Sequence, residues 1–360
     1  MSTSAKSTNL LEMRNVSQIF GDPAQGGTVA LDDLTFSIAS DKPTFTSVVG
    51  ESGSGKTTLA RILLGFQNPT KGQVLYQGQN LADLKGQSLR HFRREVQAIF
   101  QDPFEVYNPF YKIDHLLDVP IKKFKLASSR KEARVLMEEA LSAVGLRPDE
   151  TLGRFPHQLS GGQRQRITVA RAMLLKPRVI IADEPVSMVD ASLRATILET
   201  LRKLHEDLGI SMLYITHDLT TAYQVSDNIL VLYKGRVAEV GDVVPVIKQP
   251  THPYTQLLVS SIPLPDPNRR WGENVVEAVV DDRPASRVGC AFAPRCPHAM
   301  PVCTEAPPPL YRTENYRAAS CYLPATHHGT TEAAQSTLPV VTGDITQTFP
   351  PARPATAPVG

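Results

Sequence analysis

Excess charge of either sign is missing from this sequence. Of 360 residues, 38 are Lys or Arg and 36 are Asp or Glu, a formal net charge of +2. That balance leaves no electrostatic footprint for nucleic acid, and no polybasic tract marks a membrane surface. Long apolar runs are missing too; none approaches the ~18–20 residues needed to cross a bilayer. Residues 1–9 are polar and hold no apolar segment of a secretion signal. The chain is therefore expected to be cytosolic and soluble. Cysteine is scarce, and all four residues lie between Cys290 and Cys321. In a reducing compartment that grouping argues against disulfides and towards a metal or cluster. The length suffices for two or three domains with ample core.

What is present is organised around Gly50-Glu51-Ser52-Gly53-Ser54-Gly55-Lys56-Thr57-Thr58. It fits the phosphate-loop pattern G-x-x-x-x-G-K-[ST] in full. A β-type run at 45–49 leads in, and a good helix start at 59–64 leads out. That order is what the physics requires. A strand delivers the loop, glycines let backbone N–H groups turn onto an anion, and a helix begins there with its positive end. Lys56 would reach the outer phosphates, and the Thr57 hydroxyl would sit on Mg²⁺.

Upstream, residues 10–20 and 31–39 read as β segments, separated by a Gly/Pro/Asp-rich turn at 21–27. Phe20 closes the first run, either as a strand-end core aromatic or as a ring on which adenine stacks. Downstream, 71–76 reads as a further strand. Residues 96–100 run into Gln101 before a Pro-broken loop, which places that amide at the C-terminal edge of a strand, where open α/β sheets bind ligands. A helix is expected over 129–144, capped by Ser128 or Ser129, with Ala133, Leu136, Met137, Ala140, Leu141 and Val144 as a core stripe. The region looks like a helical insertion.

Leu159-Ser160-Gly161-Gly162-Gln163 opens the next helix, with Ser160 as cap. This is a second anion-binding helix start, and a simple resolution is that it serves a nucleotide held by another subunit. Residues 178–182 form a buried strand ending in Asp183-Glu184. Beside a phosphate loop the pair divides its work: Asp183 holds the Mg²⁺ shell, and Glu184 orients or deprotonates the attacking water. Ser187-Met188-Val189-Asp190 follows. A helix over 193–208 should bury Ile197, Leu201, Leu204 and Leu208. Another buried strand, 211–216, ends at His217, which sits where a γ-phosphate contact is needed. Residues 229–240 read as a hairpin.

Over residues 10–245 these motifs, in this order, resemble ATP-binding-cassette (ABC) ATPases. The resemblance implies an α/β fold: a RecA-like P-loop core, an N-terminal antiparallel β subdomain and a helical subdomain at about 102–175. It implies that two such domains pair head to tail. Each ATP would lie between the phosphate loop of one and Ser160, Gly161, Gly162 and Gln163 of the other. Asp190 joins the nucleotide contacts. Gln101 joins the Mg²⁺ and catalytic groups beside Glu184 and His217, and links the nucleotide to the insertion that touches a membrane partner. The loop at 187–190 departs from the family's usual Ser-Ala-Leu-Asp, but keeps its Ser and Asp.

Residues 251–258, Thr-His-Pro-Tyr-Thr-Gln-Leu-Leu, resemble the segment after the ATPase core in oligopeptide/dipeptide-type importers. Cys290, Cys296, Cys303 and Cys321 follow as C-x5-C-x6-C-x17-C. In those importers the resemblance implies a [4Fe–4S] cluster. From the residues alone, four thiolates suit a cluster or a structural Zn²⁺, and four unmetallated thiols stay open. The missing C-x2-C pairs favour the cluster. The expected organisation is a loose tail at 1–9, the ATPase domain at 10–245, a Cys-rich extension at 246–324 and a disordered tail at 325–360. The expected partners are two membrane permeases, a second ATPase subunit (a paralogue or this chain itself) and an extracytoplasmic binding protein, with the chain peripheral on the cytoplasmic face of a bacterial inner membrane. The Ser-Met-Val-Asp variant is similar to relatives importing oligosaccharides, so peptide and oligosaccharide cargo both stand. A soluble ABC ATPase working on nucleic acid or in translation, the rival reading, would need a basic surface or long coiled-coil insertions, and neither is found. A non-catalytic regulatory subunit would need degraded motifs, and all are intact.

Overall fold

The structure, a computed structural model, describes residues 9–22, 26–102, 106–262, 288–314 and 317–323. Of the loose tail expected over 1–9, residues 1–8 lie outside these residues, as does the tail expected over 325–360; Asn9 instead opens the first strand, where it is half-buried. In chain order the elements begin with β1 (Asn9–Phe20), β2 (Thr28–Ala39), β3 (Phe45–Val49), α1 (Lys56–Leu63), β4 (Lys71–Tyr76) and β5 (Gln79–Asn80). Then come α2 (Gly86–Glu95), β6 (Val96–Ile99), α3 (Ile113–Phe124), α4 (Arg130–Ala143), α5 (Pro148–Thr151) and α6 (Gly161–Met173). β7 (Val179–Asp183), α7 (Ala191–Leu208), β8 (Ser211–Thr216), α8 (Leu219–Val225), β9 (Asn228–Tyr233) and β10 (Arg236–Asp242) follow. The last elements are α9 (Val243–Lys248), α10 (Pro253–Ser260), α11 (Val302–Glu305), β11 (Tyr311–Glu314) and β12 (Arg317–Ala319).

The chain divides into two compact units. One comprises Met1–Asp41, Thr46–Ala82 and Thr216–Gly360; the other comprises Lys42–Phe45 and Asp83–Ile215. The first unit holds an antiparallel sheet in the order β2-β1-β4-β5. It also holds the strand run β11-β12-β10-β9-β3. There β3 and β9 run parallel, while β9, β10, β12 and β11 pair antiparallel in succession. Every residue of β3 and of β9 is buried, including the polar Thr46, Ser47 and Asn228, as strands covered on both faces should be. The core against β9 takes in Val246, Tyr254, Ala291 and Phe292, so the Cys-rich extension shares it.

The second unit holds parallel β6, β7 and β8 with helices around them. Ser129, of the two candidate serines, caps α4: its Oγ accepts from the Glu132 N–H, and the Glu132 carboxylate accepts from the Ser128 N–H and hydroxyl. The Ser128 hydrogen bonds hold the Glu132 carboxyl below its ordinary range. Met137, Ala140, Leu141 and Val144 are buried along the expected stripe. Helix α7 corrects one expectation. Ile197, Leu201 and Leu204 are buried, but Leu208 is 58% exposed. The apolar stripe ends a turn before the helix does. Leu208 stands in the last turn, where Gly209 at φ 63° stops the helix, and Leu198 is the fourth buried leucine or isoleucine. Leu201→Ala should therefore destabilise the chain by about 2–5 kcal/mol and Leu208→Ala by less than about 0.5, read from urea midpoints.

Candidate phosphate-loop site

In the first unit the loop after β3 is pressed against neighbouring backbone. Gly50 lies at φ 153°, and a Cβ there would sit 2.2 Å from the Leu232 carbonyl oxygen of β9. Gly55 lies at φ 103°, and its Cβ would sit 2.2 Å from the Ala30 carbonyl oxygen of β2. Neither position can carry a side chain without moving a strand. Gly235 in the β9–β10 turn donates to the Ser54 carbonyl at 3.0 Å. Lys56 is 7% exposed, and its Nζ donates to the Gly50 and Glu51 carbonyls at 2.7 and 2.9 Å. Its ammonium is thus held inside the ring of the loop. Gly55 is the N-cap of α1, and among the described residues no side chain caps that helix. Its first-turn N–H groups, which have no intrahelical partners, are left for an anion. Thr57 is exposed and Thr58 half-buried at that turn, Ser52 and Gly53 are exposed at the crest, and Ser54 is buried. Phe20, at the end of β1, is 44% exposed, which removes its reading as a core aromatic. His217 is exposed, directly before Asp218, which caps α8 by accepting from the Thr220 and Thr221 N–H groups.

Two residues outside the motif hold the loop from the C-terminal side. The Glu51 N–H donates to Tyr254 Oη at 2.8 Å. Arg295 donates through both terminal nitrogens to the two Glu51 carboxylate oxygens, each at 3.0 Å. Tyr254 is itself mounted on a buried polar assembly. His252 is 3% exposed and accepts the Tyr254 N–H at Nδ1, while Glu239, at 0% exposure, accepts the N–H groups of Thr251 and His252. Burial lowers the His252 pKa to about 4, keeping the ring neutral and able to accept. Burial also raises the Glu239 carboxyl, against the backbone N–H groups aimed at it. This gives the Thr-His-Pro-Tyr segment a physical role. The sequence places Tyr254 in the 251–258 segment without tying it to the loop, and gives Arg295 no role.

The second unit carries the other candidates. Gln101 is exposed two residues beyond β6. β7 ends at Asp183, and Glu184 follows at φ 46°, in the left-handed region where a glutamate is uncommon. Its N–H donates to the Ile215 carbonyl at 2.9 Å, and its own carbonyl accepts from the Ser187 hydroxyl at 3.0 Å. Those bonds hold the strained turn, which costs of order 1–3 kcal/mol and is typical of functional sites. Ser160 caps α6 as expected, and Gln163 closes a capping box on it: Ser160 Oγ accepts from the Gln163 N–H at 3.2 Å, and Gln163 Oε1 accepts from the Ser160 N–H at 2.9 Å. The two glycines differ. A Cβ at Gly162 would meet Leu193 Cδ1 at 2.6 Å, so its smallness lets α6 and α7 pack; Gly161 has room, with only the Met188 carbonyl at 3.9 Å. Asp190 is exposed at the N-cap of α7.

The four cysteines are free thiols, and all four line one cavity with His252, Phe292 and Tyr322. Burial pushes the thiols of Cys290 and Cys296 up, and that of Cys321 to about 11. Four thiols around one cavity have the donor chemistry of a metal-bound thiolate site. Among the described residues, however, no three His, Cys, Asp or Glu groups stand in an arrangement that holds a metal ion.

A loop of this build, between a buried strand and an uncapped helix, is that of a P-loop nucleotide-binding site. Residues 31–187 match the family described as ABC transporter, and 238–303 match the oligopeptide/dipeptide transporter, C-terminal region. The putative oligopeptide transport ATP-binding protein YkfD of Bacillus subtilis (strain 168) is 39% identical, over 87% of this chain and 95% of that protein. The probable peptide ABC transporter ATP-binding protein y4tS of Sinorhizobium fredii is also 39% identical, over 82% and 83%. Among solved structures, the dimeric post-hydrolysis state of the ATP-binding cassette MJ0796 bound to ADP and Pi aligns with TM-score 0.57 at 29% identity, covering 65% of this chain and 98% of that one. The chain belongs to the ATP-binding proteins of the ABC transporter family and is an ATPase of that class. The nucleic-acid reading finds no counterpart among these relatives. Among the described residues no helix is long and apolar enough to cross a membrane.

The capping box is open to a direct test. Ser160→Ala should cost about 1 kcal/mol of stability in urea unfolding, and Ser160→Asp should recover most of it. Equal stability of all three proteins would show that Ser160 does not cap α6.

Proposed function

We propose that this chain is the ATP-hydrolysing motor of a peptide importer, bound to the cytoplasmic face of a bacterial inner membrane by two permease subunits. The observation that carries the chemistry is the backbone at Glu184. A glutamate whose backbone is held left-handed, directly after a buried strand ending in Asp183, stands at a strand's C-terminal edge, where ligands of such sheets bind. The peptide cargo is supported by the match of residues 238–303 and by the printed names of the relatives. Oligosaccharide cargo is the alternative outcome of a transport assay. An extracytoplasmic binding protein delivers the cargo.

In this proposal residues 10–245 form the ATPase domain, with the helical part at about 102–175, and 246–324 form the extension. Two such domains, this chain with itself or with a paralogue, close head to tail on ATP. The loop from Gly50 to Thr58 wraps the phosphates, and Phe20 stacks on adenine. Ser160, Gly161, Gly162, Gln163 and Asp190 meet the nucleotide of the partner. Gln163 would have to keep its cap or exchange it, since its amide oxygen is bonded to the Ser160 N–H. Thr57, Gln101 and Asp183 would hold Mg²⁺, which supplies charge neutralisation between the outer phosphates. Glu184 orients and deprotonates water, with Gln101 and His217 at the γ-phosphate. Cys290, Cys296, Cys303 and Cys321 would hold a [4Fe–4S] cluster, or Zn²⁺, stapling the extension.

Glu184→Gln should keep ATP affinity while lowering the hydrolysis rate by 10²–10⁴-fold, measured as phosphate release. Turnover within threefold of the unsubstituted chain would remove the assigned base. Iron and acid-labile sulfide should be found in anaerobically purified protein; one equivalent of zinc without iron would replace the cluster by zinc.

A further inference from the structure

The segment from Gly289 to Cys296 does two things at once. Its two cysteines line the thiol cavity, and its Arg295 reaches the phosphate loop. It is tethered at its start, where Arg236 donates to the Gly289 carbonyl at 3.0 Å and Cys290 N–H donates to the Cys303 carbonyl at 2.7 Å. Arg295 itself is boxed in. Its guanidinium lies 5.8 Å from the Tyr233 ring centre and 5.6 Å from that of Phe292, and its side chain is 16% exposed. A planar cation held on two aromatic faces, with both terminal nitrogens on one carboxylate, is a rigid strut rather than a surface ion pair.

The other end of the strut is Glu51, at a variable position of the phosphate-loop pattern. A carboxylate there opposes the approach of a polyphosphate unless its charge is neutralised. We propose that Arg295 is a positioning residue for the phosphate loop: by pairing with Glu51, beside the Tyr254 hydroxyl that accepts the Glu51 N–H, it makes the affinity of the loop for MgATP depend on the C-terminal extension. Arg295 neutralises Glu51 and draws its side chain towards the extension, while Tyr254 fixes the peptide plane that starts the loop's turn. This rests on the reading that the loop binds ATP, and it adds a control from outside the motifs.

The test uses the full-length chain, with equilibrium MgATP binding followed by displacement of a fluorescent nucleotide, and steady-state hydrolysis alongside. Arg295→Ala should weaken binding about tenfold and raise KM by the same factor, with kcat within twofold. Arg295→Lys, which keeps charge but not the two-point geometry, should recover only part, to about threefold. In a Glu51→Gln background the Arg295→Ala effect should fall below twofold, because its partner is gone. Iron and zinc content should equal that of the unsubstituted chain in each variant. If Arg295→Ala fails to fold, Arg295→Lys decides. Binding by Arg295→Lys indistinguishable from the original, an undiminished Arg295→Ala effect with Glu51→Gln, or an affinity loss that appears only with loss of metal would each overturn the proposal. Failure of the original chain itself to bind MgATP would strike the underlying nucleotide reading instead.

Discussion

The described structure of the first unit depends on backbone packed against backbone at the phosphate loop. Two glycines admit the Leu232 and Ala30 carbonyls at distances that no Cβ would allow. Because of that approach the loop cannot drift. It is fixed between β2 and β9, and Gly235 of the β9–β10 turn ties it through the Ser54 carbonyl. The loop's shape is therefore a property of the strands around it rather than of its own few hydrogen bonds. The buried Lys56 ammonium, bonded to two of the loop's own carbonyls, is the charge that such a rigid ring can afford to enclose.

A second layer of constraint comes from polar groups with almost no exposure. Glu239 and His252 spend their hydrogen bonds on backbone N–H groups at the start of α10. An unpaired polar group at that depth would cost about 1–3 kcal/mol, so full pairing gives the assembly a single arrangement. Its product is the orientation of Tyr254, and through Tyr254 the first peptide of the loop. The extension after β10 is thus continuous with the core of the nucleotide site, with Phe292 packed on both Tyr233 and Tyr254.

Much of this was legible in the sequence, for physical reasons. β7 and β8 are unbroken apolar runs that end in polar residues, and a strand buried on both faces has no other way to look. The phosphate loop announces itself because its glycines and lysine are required together. Ser160 reads as a helix cap because a hydroxyl directly before a helix start can accept an otherwise unpaired first-turn N–H. The return bond from Gln163 was carried by the Ser-x-x-Gln spacing of a capping box but was not read, because the nucleotide contact claimed the same residue. Nor was Glu184's left-handed backbone, because nothing about a glutamate favours it and the surrounding bonds impose it. Leu208 was misread because helical spacing tells which face a residue is on but not where the covering layer stops. The ties from Tyr254 and Arg295 to Glu51 span 203 and 244 residues, beyond the reach of any local pattern. The grouping of the cysteines was visible, while their common cavity emerges only from the fold.

The central claim is that the loop from Gly50 to Thr58 encloses the phosphates of ATP with magnesium. It is tested most directly by calorimetric titration of the whole chain with ATP, with and without Mg²⁺, beside a Lys56→Ala control. The account expects one saturable, magnesium-strengthened site per chain that disappears in the control. Binding that ignores magnesium, or that survives the loss of Lys56 unchanged, would contradict it.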